Sequence, residues 1–247
     1  MSILPQNKGW QGGAHRLWRR IGRPLTQDCL LCAAGSEEDI VCAACAADLP
    51  RLPKPCCPRC ARPLPGAKDS GEICGRCLSD PPYYDRTLAA FRYDFPLDKL
   101  VQTFKYGHRL ALAAFFGEQL AALAGRPPAD LIIPLPLHPE RLRQRGFNQA
   151  LELARPVSAA WRLPIAASSC QRIRNTPAQA DLPWRERVKN IRGAFHCSTD
   201  FTGQRIILID DVMTSGASLG ECARTLKLHG AAQVTALVLA RALVKSD

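Results

Sequence analysis

The chain has 247 residues, 47% hydrophobic and 22% charged, which suits one large domain or one domain with a small module. Its start, MSILPQNKGWQGG, lacks the basic-then-apolar pattern of a signal peptide, and its most apolar stretch, 110–124, is interrupted by Glu118 and Gln119 and is too short to span a bilayer. The net charge of +11 favours an anionic partner, so the expectation is a cytoplasmic protein without integral membrane association that meets phosphates or nucleic acid.

Residues 1–28 read as a tail with one basic amphipathic turn at 15–21, suited to a membrane surface or a partner, or else simply packed or frayed. Residues 29–82 form a cysteine-rich module that holds nine of the twelve cysteines. Eight of these fall into pairs with a two-residue gap: Cys29 and Cys32, Cys42 and Cys45, Cys57 and Cys60, Cys74 and Cys77. That gap lets two thiolates turn toward one ion, and two pairs close the tetrahedral shell of structural zinc. Consecutive pairing gives two four-cysteine sites; an interleaved pairing, as in RING-like modules, fits the same spacing. Cys56 is left out because Cys57 keeps the gap. Without a signal peptide, reduced metal-binding thiols are favoured over disulfides. A segment with so few large apolar side chains needs metal to fold. Cys170, Cys197 and Cys222 are scattered and read as ordinary core or surface residues.

From residue 83 to 247, strand and helix patterns alternate. Strands are predicted at 87–93, 131–133, 206–210 and 234–240, and helices at 97–104, 111–123, 148–161 (bent at Pro156) and 219–228. Such alternation implies an α/β fold with a parallel sheet. Between 139 and 192, eleven Arg or Lys stand against four Asp or Glu, a net of +7. This block suits a polyphosphate or nucleic acid, or else a solvated basic surface.

The most informative stretch is 205–218, RIILIDDVMTSGAS. A buried strand ends in Asp210 and Asp211, followed by Thr214, Ser215, Gly216, Ala217 and Ser218 and then a helix. In a parallel sheet, ligands bind at the carboxyl ends of strands. A hydroxyl- and glycine-rich turn at a helix N-terminus suits a phosphate, and neighbouring acids suit sugar hydroxyls. A Walker B reading would also require G-x-x-x-x-G-K-[ST], which the chain lacks.

These residues resemble the PRPP-binding motif of type I phosphoribosyltransferases. Further features narrow the resemblance to the ComF family (ComFC/GntX-like): the cysteine-rich N-terminus, Phe104-Lys105-Tyr106-Gly107, Pro134-Leu135-Pro136-Leu137, Arg145-Gly146-Phe147-Asn148-Gln149, Arg172-x-Arg174-x-Thr176-x-x-Gln179 and Arg187-x-x-Asn190. The similarity runs from about Cys29 to Arg241. Where the family has threonines, this chain has Ser215 and Ser218, which keep the hydroxyls.

The resemblance implies a type I phosphoribosyltransferase-like parallel sheet flanked by helices, with a small N-terminal zinc-binding module, a double zinc ribbon. It implies that Asp210 and Asp211 hold the ribose hydroxyls of PRPP near Mg²⁺, and that residues Thr214, Ser215, Gly216, Ala217 and Ser218 cradle the 5′-phosphate. Lys105, Arg141, Arg143 and Arg145 become candidates for phosphate or pyrophosphate contacts, and Arg172 and Arg174 are expected on a mobile loop that closes over the ligand. Pyrophosphate would leave C1 of the ribose; no residue set in the chain reads a purine, a pyrimidine or ammonia as acceptor. The family also implies a part in competence, DNA uptake or the use of incoming single-stranded DNA, with uptake machinery such as a helicase as partner. A catalytically silent, PRPP-sensing module that binds single-stranded nucleic acid is the alternative.

Overall fold

The computed structural model describes residues 27–36, 39–67, 71–107, 109–123, 126–176 and 190–243. The amphipathic turn expected at 15–21 and the motif residues Gln179 and Arg187 lie outside them. The N-terminal part has little regular structure: strands β1 (Gln27–Asp28) and β2 (Gly35–Ser36) pair antiparallel, and helices α1 (Ala43–Ala47) and α2 (Gly75–Ser79) are five residues each. Both short helices begin directly after a cysteine, Cys42 and Cys74.

The remainder runs β3 (Arg86–Arg92), α3 (Leu97–Tyr106), α4 (Ala111–Ala122), β4 (Leu131–Pro134), α5 (Pro139–Arg145), α6 (Gln149–Trp161), β5 (Cys170–Arg172), β6 (Phe195–Cys197), β7 (Arg205–Met213), α7 (Ala217–Leu228) and β8 (Gln233–Arg241). Four strands form one parallel sheet in the order β3-β8-β7-β4. Its central strands are apolar without alternation because both faces are covered: Ile206, Ile207, Leu208 and Ile209 are buried, as are Val234 and 236–240. The α/β sheet flanked by helices is therefore as expected. In α3, Leu97, Leu100, Val101 and Phe104 form the buried face.

Neither sheet edge is bare. The Leu52 amide donates to the Ala90 carbonyl and the Arg92 amide to the Pro50 carbonyl, so the chain leaving the first cysteine cluster covers β3. On the other side, the Ile132 amide donates to Pro164 and the Ala166 amide to Ile132, covering β4. Helix α6 contains Pro156 and nevertheless spans Gln149–Trp161. Opposite it, Gly117 in α4 makes room: a Cβ there would lie 2.0 Å from Pro156 Cγ.

Three elements depart from the sequence reading. Strand β7 continues past the predicted end at 210 as far as Met213, because β8 pairs with it up to Met213↔Arg241. Helix α5 was not expected, although its signals are present: His138 accepts from the Glu140 amide, Pro139 opens the helix, and Gly146 closes it at φ 77°. Strands β5 and β6 pair with each other away from the main sheet. Cys170, Cys197 and Cys222 are buried near them, with the sulfurs of Cys170 and Cys222 3.8 Å apart.

Candidate functional site

The thiols of Cys29, Cys32, Cys42 and Cys45 gather in one cluster and those of Cys57, Cys60, Cys74 and Cys77 in a second, with all sulfurs of a cluster within 4.8 Å of one another. This is the consecutive arrangement, and the interleaved one does not occur. The Cys32–Cys42 and Cys60–Cys74 sulfur separations of 3.9 and 3.6 Å are close to the ~3.8 Å edge of a tetrahedron with ~2.3 Å zinc–sulfur bonds. The Cys42 amide donates to Cys29 Sγ and the Cys74 amide to Cys57 Sγ, both at 3.4 Å. Burial pushes the Cys29 and Cys57 thiols up, but backbone N–H groups bring them down to about 6 and about 7, whereas neighbouring thiols hold Cys45 up and burial holds Cys60 and Cys77 up. Both residue sets fit structural zinc. Cys56 turns away and donates to the Pro53 carbonyl oxygen at 2.6 Å.

The clusters differ in their surroundings. Cys29, Val41 and Leu49 belong to the main hydrophobic core. The second cluster has its own small core of four cysteines with Leu64 and Ile73 packed against it. There, cysteine–metal bonds stand in for apolar burial.

At the carboxyl end of the sheet, β4 pairs with β7 only as far as Pro134↔Ile209. Asp210 and Asp211 are the next residues of β7, so they border the gap that the shorter strand leaves. Lys105, near the C-terminus of α3, forms an ion pair with Asp211 at 2.8 Å. Burial works against the Lys105 charge, yet Asp211 holds its pKa above the ordinary lysine value. Burial and the neighbouring Asp211 push Asp210 up to about 7, against the pull of Lys105 and Arg145.

The arginine candidates separate by helix geometry. Arg141 and Arg145 are four residues apart on α5 and share a face; Arg143, two residues from each, is exposed on the other side. Arg141 Nη2 donates to the Thr176 carbonyl oxygen at 2.6 Å, and Arg145 Nη1 donates to Gln149 Oε1 at 3.0 Å. Arg172 is not on a mobile loop: it lies on β5, 7% exposed, and donates to Thr176 Oγ1 at 2.6 Å. Burial and nearby Arg141 lower its guanidinium to about 10, while Asp210 pulls the other way. Arg174, just beyond the strand, is exposed and donates to the Arg192 carbonyl. Buried Arg172 Nε and Gln149 Nε2 have no acceptor among the described residues. Two buried donors without an acceptor, one of them on an arginine that interacts with Asp210, suit an anion.

The turn after β7 places Thr214 exposed and Ser215, Gly216, Ala217 and Ser218 half-buried. Gly216 sits at φ 77° as N-cap of α7, and a Cβ there would lie 2.8 Å from Tyr84 Oη, so two constraints demand glycine. The Ala217 amide donates to Ser215 Oγ at 3.3 Å, whereas the Ser215 and Gly216 amides meet no acceptor among the described residues. A turn with open N–H groups at a helix start is suited to a phosphate.

Sequence reasoning missed Arg76, Tyr84 and Arg241, and placed Gln149 in a motif without a role. Arg76 Nη2 donates to the Ser215 carbonyl oxygen at 3.0 Å, and buried Arg241 donates to the carbonyls of Met213 and Thr214. The available signals were weak: Arg76 fills the gap between two cysteines, and Arg241 is an arginine ending an apolar strand.

Residues 24–78 match the model of the double zinc ribbon domain, and residues 157–246 that of the phosphoribosyl transferase domain. The chain is 32% identical over 210 residues to the DNA utilization protein YhgH of Shigella flexneri, covering 82% of this chain and 91% of that protein. It is 29% identical over 213 residues to competence protein F of Haemophilus influenzae, covering 82% and 90%. With competence protein ComFC of Bacillus subtilis the identity is 26% over 253 residues, covering 93% and 97%. Among solved structures, a glutamine phosphoribosylpyrophosphate (PRPP) amidotransferase from B. subtilis is similar at 16% identity and a TM-score of 0.40, over 56% of this chain and 30% of that one. With its two cysteine clusters, its parallel sheet and these relatives, the chain belongs to the ComF family.

Proposed function

We propose that the chain binds PRPP with Mg²⁺ at the carboxyl end of β7 and transfers its phosphoribosyl group with release of pyrophosphate. One observation carries this reading: an acid pair lies near the end of β7, a turn with open N–H groups follows the strand, and buried Arg172, whose Nε has no acceptor among the described residues, interacts with Asp210. Asp210 and Asp211 accept from the ribose 2′- and 3′-hydroxyls, and residues 214–218 hold the 5′-phosphate. Arg141, Arg145 and Arg172 hold the pyrophosphate and stabilise the charge that builds on it as it leaves C1. Magnesium, when bound, neutralises part of that charge. Lys105 orients Asp211 through their ion pair.

Calorimetric titration of PRPP and Mg²⁺ into wild type and Asp211→Asn tests the site. Wild type is expected to bind at least tenfold more tightly; equal binding sinks the assignment. Pyrophosphate release across a panel of bases and ammonia tests turnover.

The relatives named for competence and DNA utilization extend the reading to the handling of incoming single-stranded DNA, in the cytoplasm, beside uptake machinery. A second reading, a PRPP-sensing module without turnover, draws on the surface around the site. Tyr106, Leu142 and Ile173 are exposed, Arg143 and Arg174 follow two of them in the chain, and the Arg145 guanidinium lies 5.6 Å from the Tyr106 ring centroid. Aromatic and cationic groups together suit unstacked bases and their phosphates. Binding of single-stranded DNA together with absence of pyrophosphate release on every acceptor favours the second reading.

A further inference from the structure

The second cysteine cluster touches the turn that follows β7, and the contacts fall on consecutive backbone carbonyls. Arg76 lies between the ligands Cys74 and Cys77, on α2, and donates to the Ser215 carbonyl oxygen at 3.0 Å. Arg241, 2% exposed at the end of β8, donates through Nη1 to Met213 at 2.9 Å and to Thr214, and through Nε to the Cys60 carbonyl at 2.9 Å. One guanidinium thus ties the ribbon to the turn, and the other reaches from the ribbon itself. Tyr84, 4% exposed, places its hydroxyl under Gly216. Thr87 on β3 also holds the ribbon, through the Pro58 and Arg59 carbonyls, while an open cleft lined by Cys77, Tyr83, Gly220 and Glu221 separates the ribbon from α7.

The carbonyls of residues 213–215 all point at guanidinium groups. Peptide planes are rigid, so fixing a carbonyl fixes the N–H on the opposite side of the same plane. The amides that follow these carbonyls belong to Thr214, Ser215 and Gly216, and none of the three meets an acceptor among the described residues. Preorganised donors bind an anion more tightly than donors that must first be ordered.

We infer that the second zinc ribbon is a working part of the phosphate site: Arg76, aided by Arg241, turns the amides of residues 214–216 toward the anion. Arg76 is a positioning residue, acting through the Ser215 carbonyl rather than on the ligand. The inference rests on the reading of residues 214–218 as the 5′-phosphate cradle. Arg76 is carried by a knuckle whose shape depends on the Cys74 and Cys77 ligands, so the metal-held ribbon, by this route, sets the affinity for the sugar phosphate.

The test uses the full chain with Arg76→Ala and Arg76→Lys, each first shown to carry the zinc content of wild type. Arg76→Ala is expected to weaken PRPP and ribose 5-phosphate by the same factor, about tenfold for one lost charge-assisted hydrogen bond. Pyrophosphate binding is expected to be unchanged, because its contacts lie on α5 and β5. Arg76→Lys is expected to restore part of the loss. Amide hydrogen exchange at residues 214–217, measured without ligand, is expected to quicken in Arg76→Ala. Unchanged ribose 5-phosphate affinity with unchanged exchange overturns the inference, as does an equal loss for pyrophosphate. Wild type that binds no sugar phosphate overturns the cradle reading instead, and the exchange measurement then still decides whether the ribbon holds the turn.

Discussion

Lys105 Nζ lies 2.8 Å from Asp211 Oδ2, joining the end of α3 to the carboxyl end of β7 across 106 residues of sequence that the sheet folds together. Asp211 is the more buried partner and Lys105 is partly exposed, so the lysine is the counter-ion that makes a carboxylate tolerable there.

Lys105→Met is therefore expected to destabilise the ligand-free protein by about 2 kcal/mol, below the figure for a wholly buried pair because water reaches the lysine. Thermal scans should show Lys105→Met with Asp211→Asn costing less than the two changes added, since each removes the same pair. Additive effects would deny the coupling.

The pH dependence follows from Asp210. Its folded pKa, about 7, is raised above the ordinary carboxylate value, chiefly by burial. The stability it contributes is fully present below the unfolded pKa and is lost as pH rises through about 7. Holding ribose hydroxyls with Mg²⁺ requires the ionised form. PRPP–Mg²⁺ affinity is thus expected to rise about tenfold from pH 6 to pH 8, with proton release on binding near pH 6. Titrations in buffers of different ionisation enthalpy measure that release; a flat profile with no released proton contradicts it.

Metal removal should act unevenly. The second cluster has only its cysteines, Leu64 and Ile73 for a core, whereas Val41 and Leu49 of the first join the main core. Chelation is expected to expose residues 56–77 to protease while the β7–β8 core stays protected. Mass spectrometry of early fragments is the check, and first cuts within 205–241 would contradict it.

Gly117→Ala sets two magnitudes against each other. Alanine improves helix propensity by about 1 kcal/mol, but its Cβ would fall 2.0 Å from Pro156 Cγ, and overpacking costs about 1–3 kcal/mol or more. The clash is expected to win and lower the melting temperature. Pro156→Ala in the same chain should recover most of the loss.

Binding of single-stranded DNA, if it uses the exposed arginines, is expected to weaken with salt at about 0.7 log units per phosphate contact for each log unit of salt. Arg143→Ala and Arg174→Ala together should reduce that slope by about 1.4, read by fluorescence anisotropy. An unchanged slope places the DNA elsewhere.

Much was legible in the sequence because it is local. The two-residue gaps announced the cysteine clusters, since neighbouring residues alone bring two thiols together. An unbroken apolar run announced β7, and the acids and hydroxyls after it announced the turn. Helix α5 is hard to read because its three arginines belong to a charge block; its cap signals are His138-Pro139 and Gly146, and its helical period turns Arg143 away from Arg141 and Arg145. The resemblance implies a loop at Arg172, and a three-residue strand paired only with β6 leaves no periodic pattern in the sequence to oppose it.

By itself the sequence determined the chemistry along each segment: which thiols pair, which strand is buried, and where acids meet a glycine turn. Tertiary structure alone decided what faces those groups. Sheet order sets Asp210 and Asp211 beyond the end of β4, brings Lys105 onto Asp211, and carries Arg76 to a carbonyl 139 residues away. Local bonding geometry reaches only a few residues along the chain, whereas a charge or a hydrogen bond acts through space, between elements that meet only once the core has packed.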